Sequence, residues 1–153
     1  MPAAAALSPW QSLASGVAGA VSLTAAHQLA GTLFDGAPRM DVLAMRGLAR
    51  AHAAVGAPVP EGRTLYREAM AGDLVANSLY YAAVGLGPPE HAWRRGVGLG
   101  LLAGVGAVLA PRLLDLDRGA DERRPRRELG AVALYLLGGL AAAAAASAMR
   151  SRG

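Results

Sequence analysis

Charge is missing from long stretches of this chain, and those stretches dictate what it can fold into. No charged side chain occurs from Met1 to Phe34, from Gly96 to Pro111 or from Leu129 to Met149, and Ala69 to Pro89 carries only Asp73. A helix needs about 20 mainly apolar residues to cross the hydrocarbon core of a bilayer. Three of the runs approach or exceed that length, and the shorter third run is flanked by Arg95 and Arg112, whose side chains can snorkel to the interfaces. The expectation is an all-α polytopic membrane protein, an antiparallel bundle of four transmembrane helices in one domain covering residues 1–153. The spans are placed at about 10–34, 66–87, 94–113 and 129–149.

The rest of the composition suits that reading. Of the residues, 54% are hydrophobic, and with 20 glycines and a single Phe the mixture favours helices packing closely in lipid over an aromatic-rich soluble core. A secretory signal peptide would open with a basic region, which is missing, so the first run reads as a retained span. Ser15, Gly16, Gly19 and Ala20 give it small residues at close-packing spacing. Gly96, Gly100 and Gly104 form a second such row, which marks the third span as a surface for another helix, in a homo-oligomer or a membrane partner.

Between the first two spans, residues 39–55 alternate with helical period. Met40, Leu43, Leu48, Ala51 and Val55 lie along one side, with Arg46 and Arg50 on the other. The stretch is too short and too charged to span, and it reads as an amphipathic helix in the interface with its arginines toward phosphates. Basic residues also set the orientation. The first and third loops carry ten arginines beside the spans, while the N-terminus, second loop and C-terminus carry four. Both termini are therefore expected outside a cytoplasmic (bacterial inner) membrane, with Trp10 and Trp93 marking the outer interface.

That topology concentrates polar chemistry in one layer. Asp73 and Asn77, four residues apart, share a helix face, and Tyr80 and Tyr81 continue near it. His27 lies about six residues before the inner end of its span, and Asp73 about six after the inner start of its own. Both fall roughly 9 Å below the cytoplasmic boundary, with Tyr135 level with them and Thr24 one turn deeper. A carboxylate in a spanning helix costs at least a few kcal/mol, so it normally faces a partner or a wet cavity. His27, Asp73, Asn77, Tyr135 and Thr24 are accordingly the candidate ligand-binding or proton-relay residues. The bland alternative is a satisfied His–Asp pair that fixes helix register.

Several chemistries are excluded. Without Cys there is no thiolate metal site, and without Lys there is no Schiff base and no phosphate-loop lysine. All 15 basic residues are Arg, in short blocks without interleaved aromatics, which argues against nucleic acid. One His and one Asp fall short of a metal site unless Asp35 folds inward, and no cofactor is expected. The segment FDGAPRMD begins like the DGxxAR signature of the CDP-alcohol phosphotransferases. Pro38 replaces its alanine, however, and the later glycine and two aspartates are not at the required spacing. The first-span glutamate of the small four-helix multidrug exporters is missing too.

Three functions remain. The first is a small membrane protein, transporter-like, that binds an amphiphile or cation at a cytoplasm-facing polar pocket. The second is a lipid-modifying membrane enzyme using Asp73 and His27. The third is a structural or assembly subunit of a larger membrane complex.

Overall fold

The computed structural model describes residues 7–34, 37–114 and 125–151. Among them are five α-helices, one short 3-10 turn and no strand: α1 (Pro9–Leu33), α2 (Met40–Ala54), α3 (Gly62–Ala82), α4 (Ala92–Leu113, preceded by the turn Pro89–His91) and α5 (Pro125–Arg150). The chain is thus all-α.

α1 starts where local chemistry dictates. Ser8 accepts the Gln11 backbone N–H at 3.2 Å, the Gln11 side chain accepts the Ser8 N–H at 2.9 Å, and Pro9 takes the first helical position. α1 then packs antiparallel to both α3 and α5, and α5 packs antiparallel to α4. Small residues let the backbones close in. A Cβ on Gly100 would stand 2.8 Å from Leu136 Cα, and one on Gly104 would stand 2.7 Å from Val132 Cα. Gly96 meets Gly139, Gly16 meets Ser78 and Ala82, and Gly19 meets Gly138 and Ala142. The glycine row of α4 is therefore buried against α5 within the chain, and it does not present a surface to a partner. The core is thin, formed by Leu23, Tyr81, Val84, Ala142 and Ala143.

Outward faces are apolar. Val17, Val21 and Leu29 of α1, Val75 and Leu79 of α3, and Leu101, Leu102, Val105 and Leu109 of α4 are all exposed. Among the described residues, two segments are long and apolar enough to cross a membrane, Pro89–Leu113 and Pro125–Arg150. Only 22% and 33% of their apolar windows are buried inside the chain, so most of that surface has no protein to cover it.

The other two expected spans form helices but are not among the segments apolar enough to cross. α1 is uncharged but diluted by Ser, Thr, Gln, His and Gly. α3 carries Arg63, Arg67, Glu68 and Asp73, and it ends at Ala82 instead of about 87. Its uncharged end after Glu68, interrupted by Asp73, rises only about 21 Å, short of the ~30 Å hydrocarbon core. The early stop has a cause. Residues 83–88 form a turn that brings Gly85 against Ser12 and puts Gly87 at φ 85°, a left-handed conformation that suits glycine.

Arginines hold this turn. Arg95 donates from Nε and Nη2 to the Val84 carbonyl at 3.0 and 2.9 Å, and from Nη1 to the Pro88 carbonyl at 2.9 Å. Arg150 bonds the carbonyls of Pro89 and Gly85. At the opposite end, Arg112 pairs with Glu128. The amphipathic helix forms as α2 and packs on α3. Its Arg50, expected to face phosphates, instead donates to the Leu114 carbonyl at the C-terminal end of α4, where a cation also meets the negative end of the helix dipole.

Candidate functional site

Two polar features meet at the last turns of α1. The deeper one gathers residues from three helices. The His27 ring packs edge-on against Tyr135 of α5, with centroids 5.8 Å apart and planes at 76°. On α3, buried Asn77 faces the half-buried carboxylate of Asp73 one turn earlier.

Two α1 atoms in this region, Thr24 Oγ1 and His27 Nε2, are buried with no hydrogen-bond partner among the described residues. Among the described residues no hydrogen bond joins Asp73 to His27, and of the two it is His27 that packs against Tyr135. Buried polar atoms are nearly always partnered, so two orphans one turn apart call for something to meet them.

The phenols have a different part. Tyr81 donates to the Tyr135 carbonyl at 2.6 Å, and Tyr80 to the Leu99 carbonyl at 2.9 Å. The two rings contact each other edge to face, 5.4 Å apart. They tie α3 to α5 and to α4 at the level of the polar cluster, which fixes where Asp73 and Asn77 stand.

The second feature is an open cleft of about 300 Å³, lined by His27, Gln28, Gly31 and Thr32 of α1 and by Pro38, Arg39, Met40 and Asp41 where α2 begins. Arg39 Nε and Asp41 Oδ1 pair across 3.4 Å at its side. The Asp41 charge acts on His27, and Gln28 Nε2 reaches the Tyr66 hydroxyl of α3 at 3.4 Å. His27 thus belongs to both features, lining the cleft and touching Tyr135 behind it.

Reading from the sequence missed Gln28 and Thr32, which lie nearer the inner end of the first expected span than the layer of His27 and Asp73, and Arg39 and Asp41, which lie outside the spans. The available signal was Pro38, which turns the chain back so that residues flanking the turn face the end of α1. Asp35, the conditional third metal ligand, lies outside the described residues. Among those that are described, no group of three or more His, Asp or Glu side chains is arranged to hold a metal ion.

The cleft can do specific chemistry. His27 and Gln28 offer both donors and acceptors, Thr32 a hydroxyl, and the Arg39–Asp41 pair one charge of each sign. Exposed Leu29, Leu33 and Phe34 stand beside it, so polar lining and bare apolar surface adjoin. Comparison with protein families, with curated proteins and with solved structures returns no match.

Proposed function

We propose that this chain is a four-span membrane protein that binds the polar head of a lipid or small amphiphile in the α1–α2 cleft, as a transporter of such molecules would. α1, α3, α4 and α5 are the spans in this reading. Both termini lie outside, the cleft faces the cytoplasm, and α2 lies in the inner interface. The observation that carries the proposal is the junction at the end of α1. A polar cleft, with His27 in its wall, opens beside Leu29, Leu33 and Phe34, which have no protein cover. A molecule with a polar head and an apolar tail fits both halves of that surface, whereas a small hydrophilic solute fits only one.

The short uncharged end of α3 is compatible with a crossing if Arg63 and Arg67 snorkel and the bilayer thins locally. Asp73, His27, Asn77, Tyr135 and Thr24 then form a polar layer behind the head, where the half-buried Asp73 sits as an acceptor for a cationic head or a proton. The uncovered apolar faces of α1, α3 and α4 support the membrane reading of all four helices.

Native mass spectrometry of the chain released from detergent tests the proposal. Wild type should retain one amphiphile through gentle activation. Asp41→Leu and Gln28→Leu, which change only part-exposed cleft groups, should lose it while staying folded. Equal retention by all three proteins would refute the cleft as the binding site.

A further inference from the structure

At the end of the molecule away from the cleft, two guanidinium groups converge on one turn. Arg95 of α4 bonds the carbonyls of Val84 and Pro88, and Arg150 of α5 bonds those of Gly85 and Pro89, at 3.4 and 3.2 Å. Their carbonyls alternate along the turn, and the two cations lie close enough for each charge to act on the other. Two like charges held over neighbouring carbonyls repel, and an anion between them would relieve that repulsion. Among the described residues neither arginine makes an ion pair; Glu90 acts on Arg95 from beyond ion-pair distance.

Capping the turn accounts for the bonds of Arg95 but leaves part of the Arg150 guanidinium unused. Arg95 already meets two carbonyls with three good bonds. Arg150 adds two long ones and keeps a buried Nε with no partner. Each guanidinium has five N–H donors, so both retain donors after the carbonyls are satisfied.

We propose that Arg95 and Arg150 together bind a phosphate group, either free or carried on a membrane lipid. A phosphate would relieve the repulsion, accept from the orphaned Arg150 Nε, and suit the planar forks of the two side chains. The bonds to the turn hold both forks in place before the anion arrives, which lowers the ordering cost of binding. Trp10 and Trp93, exposed at the same end, have the character of an interfacial belt at headgroup level. The site is separate from the cleft, so the two proposals stand or fall independently.

The test uses the full chain in detergent, with thermal unfolding and lipid binding followed on adding inorganic phosphate, phosphatidylglycerol or diacylglycerol, the last having similar tails without phosphate. Phosphatidylglycerol should raise the unfolding midpoint and diacylglycerol should not. A rise with inorganic phosphate as well assigns the site to the free anion, and a rise with the lipid alone assigns it to a headgroup.

Arg150→Gln should weaken phosphate or lipid binding roughly tenfold or more, since charge-assisted bonds are lost. Exposed Arg94→Gln should leave binding unchanged. If Arg150→Gln fails to fold, Arg150→Lys keeps the charge but loses the fork, and it too should bind more weakly. Equal stabilisation by diacylglycerol and phosphatidylglycerol, or wild-type affinity in a folded Arg150 variant, would overturn the proposal and leave the arginines as caps alone.

Discussion

Gly98 and Gly100 sit on one helix, two residues apart, and replacing each by Ala should move stability in opposite directions. A Cβ at Gly98 would meet nothing within 4 Å. At Gly100 it would stand 2.8 Å from Leu136 Cα and 3.0 Å from the Tyr135 carbonyl oxygen, both backbone atoms that no rotamer change can remove. Ordinary contact starts near 3.4 Å, so α4 and α5 must separate by about half an ångström or more along this contact. Overpacking of that kind costs about 1–3 kcal/mol, while helix propensity alone favours Ala over Gly by about 1 kcal/mol.

Gly98→Ala is therefore expected to be neutral or stabilising, by up to about 1 kcal/mol, and Gly100→Ala to lose up to about 2 kcal/mol net. Gly100→Leu should do worse. Denaturant unfolding in detergent, followed by helical circular dichroism, measures both. Equal stability of the two alanine variants would refute the close α4–α5 contact, and with it the burial of the glycine row.

Two further substitutions probe the polar layer. Tyr81→Phe removes the 2.6 Å bond to the Tyr135 carbonyl and should cost about 0.5–1.5 kcal/mol in the same unfolding assay, with helix content unchanged. Asp73→Asn keeps the shape and hydrogen-bonding capacity beside Asn77; the chain should fold with near wild-type stability but lose retention of a cationic amphiphile in native mass spectrometry, and unchanged retention would make Asp73 a structural group.

What the sequence revealed, and what it hid, has a physical pattern. Properties set by runs and periods were legible: the helical class, α2 at residues 40–54 within the expected 39–55, and the close-packing role of Gly16 and Gly19. What depended on where a helix stops was not. The uncharged run through Ala83–Pro89 resembled more of a span, yet it is a turn, because Gly85 and Gly87 permit it and two arginines far along the chain satisfy its carbonyls. The carbonyl contacts of Arg50, Arg95 and Arg150 were hidden for the same reason. An arginine that caps a remote carbonyl and one that faces a phosphate have the same sequence neighbourhood. In the candidate site, depth counting put His27, Asp73 and Tyr135 in one layer, and His27 does touch Tyr135. The i, i+4 spacing had already put Asp73 and Asn77 on one face, but nothing in the sequence showed that the turn at Pro38 would bring Arg39 and Asp41 to the end of α1.

Side-specific labelling of single cysteines in intact cells tests the four-span account most directly, and the absence of native Cys makes each introduced thiol unique. Trp10→Cys, Val55→Cys, Glu90→Cys and Ser151→Cys each place the thiol at an exposed position. The account predicts that a membrane-impermeant reagent labels positions 10, 90 and 151 from outside, and position 55 only after the membrane is opened. Labelling of position 55 from the same side as 10 and 90 would mean that only Pro89–Leu113 and Pro125–Arg150 cross, and would contradict it.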